Sequence, residues 1–218
     1  MAEEQQLYSI VVIGAMNPRI HHPLWYEYIG VLNHEQMEAA TRAPDTVCLQ
    51  PMAQFKTDQF QIVCDESKWA IRTEKPDASE RIQAISSRVF AVLEHTPTSS
   101  FGLNFNFQRK TALSDVPARL FSMLRELHSV LVAPGVGSAR IVLKRDSPDR
   151  SVTVTIASSE KSTDMVSVSN NFHYQITADT FELFDLGARI GAAFPRDLSE
   201  AIAHANNMVD LLNRSARE

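Results

Sequence analysis

The chain has 218 residues, 44% of them hydrophobic and 22% charged, which is enough to bury a core and too apolar for a disordered segment. Its formal charge of −5, with both signs mixed along the length, argues against a protein whose main work is holding a phosphate backbone. No apolar run reaches the roughly 20 residues of a membrane span, and the opening MAEEQQ is acidic where a signal peptide is basic, so no membrane contact and a cytoplasmic setting are expected.

YSIVVIGAMN, residues 8–17, is an apolar run of strand length closed by the turn signal Asn17-Pro18, and it reads as a central strand buried on both faces. The loop behind it, NPRIHHPLWY, carries His21, His22, Trp25 and Tyr26, with Tyr28 close by. Loops after buried strands are places where ligands meet a fold, and aromatic side chains anchor protein partners, although core packing is their commoner fate. A metal site needs a third ligand, and neither His34 nor Asp58 stands at a defining spacing from the histidine pair, so no metal is expected. Residues 23–42 hold helix formers interrupted by Gly30 and Asn33 and read as one broken helix or two short ones.

Residues 46–74 read as a meander. With Thr57-Asp58 as a two-residue turn, Phe55 faces Phe60, Ala53 faces Ile62 and Pro51 faces Cys64. With Glu66-Ser67 as the next turn, Cys64 faces Trp69 and Ile62 faces Ile71, so one apolar face crosses three strands. Cys48 then lies about 10 Å along the strand from the partner of Cys64, beyond the roughly 7 Å reach of a disulfide, and two buried thiols are expected. Asp77 and Glu80 form a capping-box-like start for a helix bearing Ile82, Ile85, Val89 and Val92 at helical spacing. It stops near His95, because Pro97 keeps Thr96 out of the helical region.

HTPTSSFGLNFNFQRK, residues 95–110, sets Phe101, Leu103, Phe105 and Phe107 in alternation with Gly102, Asn104, Asn106 and Gln108. It reads as a strand over 99–109 with an amide face, whose donors and acceptors repeat about every 7 Å and suit an extended polar ligand or peptide. A solvated or helix-contacting face is the simpler reading of those amides. His95 could serve as a general base in a His-Thr-Pro corner, and more simply complements the dipole of the preceding helix. A helix from about Val116 to Leu127 follows, capped by Asp115 or Ser114. Gly135-Val136-Gly137 precede a strand and read as turn residues, because a phosphate loop or dinucleotide fingerprint opens a helix. No cofactor is expected.

In a second meander, DSPD at 146–149 is a four-residue turn setting Leu143 opposite Val152 and Ile141 opposite Val154. Its third strand, 165–177, alternates Val166, Val168, Phe172, Tyr174 and Ile176 with Ser167, Ser169, Asn171, His173 and Gln175. The polar face then aligns Arg140, Thr155 and Ser167, and beside them Lys144, Ser151 and Asn171. Residues 178–194 fit a short helix or a fourth strand, and an amphipathic helix with Leu198, Ile202, Ala205, Val209 and Leu212 follows.

The order is β-α-βββ-α, twice. The expected fold is α+β: one compact domain over 1–218, with pseudo-repeat halves 7–95 and 98–215 forming a largely antiparallel curved sheet and helices on one face. The TATA-binding-protein-like fold is an analogous duplication and carries no function by itself.

FKTD (55–58), RIQAISSRVFAVL (81–93) and HTPTSSFGLNFNFQR (95–109) resemble a widespread bacterial protein family of unknown function that carries an H-T-P-x-x-x-F-G-x-N element. The resemblance implies a bacterial cytoplasmic origin and supplies no catalytic residues.

No G-x-S-x-G elbow, H-E-x-x-H helix or catalytic carboxylate pair is present. The first expectation is therefore a non-catalytic binding or interaction protein of a bacterial assembly, with a protein partner or a second copy of itself held by the polar sheet face or by the 19–28 loop. Its candidate binding residues are His21, His22, Trp25, Tyr26, His95, Asn104, Asn106, Gln108, Arg109, Asn171 and His173. A second expectation is a small-molecule sensor or enzyme with a cleft formed by His21, His22, His95 and Asn104. A third, against which the charge argues, is nucleic-acid binding through a basic stripe of Arg140, Lys144, Arg109 and Lys110.

Overall fold

Tyr8, Ile10 and Val12 are buried while the residues between them are only partly so, and the same period of two runs through β3, β4, β8 and β9 among the described strands. The computed structural model describes residues 4–122, 140–160, 162–177 and 185–214. The strands are β1 (Gln5–Gly14), β2 (Val47–Cys48), β3 (Met52–Lys56), β4 (Gln61–Asp65), β5 (Lys68–Thr73), β6 (Thr98–Lys110), β7 (Arg140–Asp146), β8 (Ser151–Ser158) and β9 (Met165–Gln175). The helices are α1 (Pro23–Tyr28), α2 (His34–Arg42), α3 (Ser79–Val92), α4 (Val116–Ser122) and α5 (Leu186–Arg214).

The fold is α+β. One nine-stranded open sheet runs β2-β3-β4-β5-β1-β6-β9-β8-β7, and every neighbouring pair is antiparallel. The two halves of the chain meet at β1 and β6, where Tyr8 faces Phe105, Ile10 faces Leu103 and Val12 faces Phe101. A single lateral row, Phe55, Ile62, Ile71, Ile10, Leu103, Phe172 and Val152, crosses the sheet on its inner face. The described helices bury their apolar sides against this face: α3 with Ile82, Ile85, Val89 and Phe90, and α5 with Ile190, Phe194, Ala201 and Ala205. β1 is thus buried on one face rather than two, and Ile13 is 38% exposed.

The meander faces agree with expectation, but the registers of their hairpins slip by two residues. Phe55 pairs with Ile62 and Ala53 with Cys64, because the Thr57 hydroxyl accepts from the amides of Gln59 and Phe60 and closes a longer turn. Leu143 pairs with Val154 and Ile141 with Ile156, since Ser147 N–H bonds to the Arg150 carbonyl and moves the turn one residue along. A two-residue slip leaves every side chain on its own face, which is why the face assignment survives. The pairs Cys64–Trp69 and Ile62–Ile71 form as the turn chemistry suggests. Cys48 and Cys64 both face Ala53 from opposite sides, so a whole strand separates them; Cys64 is buried and Cys48 is exposed.

The helices show where local chemistry was and was not sufficient. Gly30, at φ 77°, breaks the 23–42 segment, and Asn33 with Gln36 builds a capping box for α2. Asp115 accepts from Ala118 N–H at the start of α4; residues 123–127 of that predicted helix, and Gly135 to Gly137, lie outside the described residues. α3 starts at Ser79 behind a 3₁₀ turn, and no Asp77–Glu80 capping box forms. In the 178–194 stretch, 186–194 are helical and continue through Pro195 into α5, while 178–184 lie outside the described residues.

The His-Thr-Pro corner is tied directly to the central strand. The Pro97 carbonyl accepts from Ala15 N–H at 2.8 Å, and a Cβ added at Gly14 would meet that carbonyl oxygen at 2.2 Å. Backbone against backbone leaves no flexible side chain to yield. Gly14→Ala is therefore expected to cost about 2 kcal/mol or more in urea unfolding, while Gly102→Ala, whose nearest neighbours would lie at 3.7 Å, costs less.

Candidate functional site

The outer face of the sheet is made by the side chains that alternate with the core. Its rows run Arg72, Ser9, Asn104, Asn171, Thr153, Lys144 and, beside it, Leu7, Asn106, Ser169, Thr155, Val142. The expected neighbours Arg140–Thr155–Ser167 and Lys144–Ser151–Asn171 are replaced by Arg140–Ala157–Ser167 and Lys144–Thr153–Asn171, through the same turn shift. On β6, β9 and β8 this face holds mainly amides and hydroxyls, with His173 among them and Lys110 at the end of β6, while β1 adds Leu7, Val11 and Ile13 beside Gln5 and Ser9. Lys and Arg stand toward the flanks, at Lys68 and Arg72 on one side and Arg140 and Lys144 on the other.

The amides are organised rather than merely solvated. Asn171 Nδ2 donates to Asn104 Oδ1 at 2.5 Å, Ser167 Oγ donates to Asn106 Oδ1 at 3.2 Å, and Ser159 Oγ donates to Gln108 Oε1 at 3.4 Å. These bonds fix side-chain orientation across the β6–β9 seam. Each residue remains partly exposed, so the second hydrogen-bonding group of Asn104 and of Asn171 is open to a partner. Among the described residues the face offers polar groups for recognition. At its β1 and β6 end a hollow of about 330 Å³ is lined by Glu4, Gln5, Leu7, Glu74, Asn106 and Gln108 among others.

Of the predicted residues, Asn104, Asn106, Gln108, Asn171 and His173 come together here. Arg109 does not. Its guanidinium lies over the Phe107 ring at 5.3 Å and pairs with Glu4 at 3.0 Å, because its side chain follows the phenylalanine face. Lys110 pairs with Asp164 at 3.6 Å, so these two and the β7 cations do not form one stripe.

His21 is buried on the other side of the sheet. The Tyr26 hydroxyl accepts from Trp69 Nε1 at 2.9 Å and shares a hydrogen bond with His21 Nδ1 at 2.9 Å, and Trp25 packs edge-on against the imidazole. His22 is half-buried before α1, and the His95 side chain is 95% exposed beside Glu94. His21, His22, His95 and Asn104 therefore do not line one cleft. Burial, helped by the neighbouring His22, lowers the His21 pKa from 6.5 to about 4. The ring is a neutral part of the core.

The strongest polar constellation was not foreseen. Asp197, fully buried on α5, accepts from the Tyr174 hydroxyl, from Arg150, and from Arg196 Nε at 3.0 Å. Arg150 also reaches Glu200 at 2.5 Å, which in turn holds Arg145 at 2.6 Å. Phe172 lies under the Arg150 guanidinium at 5.0 Å, and Phe101 stacks on Tyr174 at 4.4 Å. Burial raises the Asp197 carboxyl, opposed by Tyr174, Arg196 and Arg150; Tyr174 is pushed up to about 12 and stays a donor. With three donors on one carboxylate, the cluster is a clamp between α5 and the 147–150 turn. The available signal was the stripe Ile190, Phe194, Asp197, Ala201, Ala205, in which an acid occupies a core position.

Among the described residues no three His, Cys, Asp or Glu side chains gather as a metal site requires, and no helix is long and apolar enough to cross a membrane.

Two outcomes test these assignments. Between its free value of 6.5 and about 4, His21 takes up a proton only on unfolding, so its contribution is complete above that window and is lost as pH falls through it. Wild-type protein should lose up to about 3 kcal/mol from this group between neutral pH and about pH 4, and urea titrations of His21→Gln should show a shallower pH slope. Asp197→Ala should cost about 3–5 kcal/mol by stranding buried guanidinium charge, whereas Asp197→Leu with Arg150→Met should cost less than the two single changes together. Compared with protein-family models and with curated proteins, the chain matches none.

Proposed function

We propose that the chain is a non-catalytic binding protein whose uncovered sheet face holds an extended peptide or a protein surface. The observation that carries this reading is the composition of that face. From Asn104 to Gln108 of β6 and on the facing positions of β9 and β8 it presents amides and hydroxyls, several of them hydrogen-bonded to one another, without a carboxylate, Lys or Arg among the described residues. Such groups match the donors and acceptors of a backbone and offer no proton-transfer machinery. Without an aromatic ring on those positions, the face also lacks the stacking platform that single-stranded nucleic acid uses.

In the same reading the halves 7–95 and 98–215 are a duplication of the TATA-binding-protein-like kind, sharing one curved sheet. Its support is that neighbours run outward from β1 as β5, β4, β3 and outward from β6 as β9, β8, β7. A cytoplasmic bacterial assembly and membership of the family suggested by the His95–Asn104 element belong to this proposal and rest on the sequence resemblance.

The test is retrieval from an extract of the native host by three forms of the protein. Wild type and Tyr28→Arg, a change on the 86% exposed ring of the 19–28 loop, should retain the same partner; Asn104→Arg with Ser169→Arg should lose about tenfold or more of it. A partner lost on Tyr28→Arg and kept by the face variant moves the site to the loop. Retrieval of nothing by any form removes the reading.

A further inference from the structure

The sheet ends in two unlike edges. β2 is two residues long, a length that discourages pairing, whereas β7 offers seven residues that pair only with β8 among the described strands. Val142 is 57% exposed on the outer face and Leu143 55% exposed on the inner one. The bond from Ser147 N–H to the Arg150 carbonyl, together with the register, fixes the alternation of the ladder. Ile141, Leu143 and Arg145 direct their backbone groups at β8; Arg140, Val142, Lys144 and Asp146 direct theirs outward.

We propose that β7 pairs antiparallel, edge to edge, with β7 of a second copy of this chain, about a two-fold axis at Leu143. In this register Arg140 of each copy faces Asp146 of the other, Val142 faces the stem of Lys144, and Leu143 faces its own counterpart. The outward backbone groups of both strands are matched, and all seven residues are used.

The charges select this register. A two-residue slip one way sets Arg140 against Lys144 of the second copy, and a slip the other way sets Lys144 against Lys144; either places like charges directly opposite. A one-residue slip brings inward-directed backbone groups to the edge. The groups needed are available: Lys144 and Asp146 share only an exposed ion pair at 3.3 Å, free to exchange. Arg145, which faces Ile141 of the second copy, is already neutralised by Glu200 at 2.6 Å.

This association goes beyond the sheet-face reading and uses a different surface. A single edge contact is small, so it is concentration-dependent and weak. Sedimentation velocity up to about 100 μM should show the 24.4 kDa chain passing from monomer to dimer. Arg140→Asp alone and Asp146→Arg alone should each weaken dimerisation by about tenfold or more, and the two together should restore it, which a mere folding defect would not do. In a Cys48→Ser background under diamide, Leu143→Cys should give a covalent dimer and Lys144→Cys should not. A monomer at every concentration overturns the proposal, as does a dimer indifferent to both charge reversals and unlinked through Leu143→Cys. Either failure leaves the sheet-face reading intact, because that is read at Asn104 and Ser169.

Discussion

The ladder between β1 and β6 is the contact on which the rest of the molecule depends. Among the described strands it is the one seam joining the first five to the last four, and it carries Tyr8, Ile10 and Val12 against Phe105, Leu103 and Phe101. Its inner side gives α3 and α5 a common floor, and those helices pack on each other as well as on the sheet. Its outer side aligns Ser9 with Asn104 and Leu7 with Asn106. One set of backbone bonds thus fixes both the core and the polar face, which are the two sides of the same strands.

That coupling explains why the polar face can be so regular. The phenylalanines of β6 leave no freedom of register, so Asn104 meets Asn171 and Asn106 lies within reach of Ser167. A surface patch on loops would have no such constraint. The clamp at Asp197 acts away from that seam, fastening the 147–150 turn to α5 at the β7–β8 flank of the sheet.

Much of this was legible in the residues themselves. Alternation named the core face of β6 and β9 correctly, since burial has the same period as the pleat, whereas the apolar run of β1 concealed that only one of its faces is buried; Asn33 marked the start of α2. Two of the turns were not legible, because side-chain bonds of Thr57 lengthen one and the Ser147–Arg150 bonds move the other one residue along, while the Glu66-Ser67 turn formed as its pattern suggests. Of the face expected for α5, Ala205 and Leu212 are buried and Leu198 and Val209 pack partly buried against the core, but Ile202 is exposed, and the stripe runs on through Phe194, Asp197 and Ala201. Hydropathy places an acid outside; only a cation arriving from another element, here Arg150, makes the inside affordable. For the same reason the amides of β6 were recognisable as a face, while the isolation of Arg109 and His21 from it depended on tertiary packing.

The position of β1 also orders the events of synthesis. Its two neighbours, β5 and β6, are made after it, and β6 leaves the ribosome last of the three. A nascent chain that ends before Thr98 can complete β2 to β5 on one side of β1, but its other side stays a bare, apolar edge. The half-made protein is therefore a sticky object until the phenylalanines of β6 arrive to cover it.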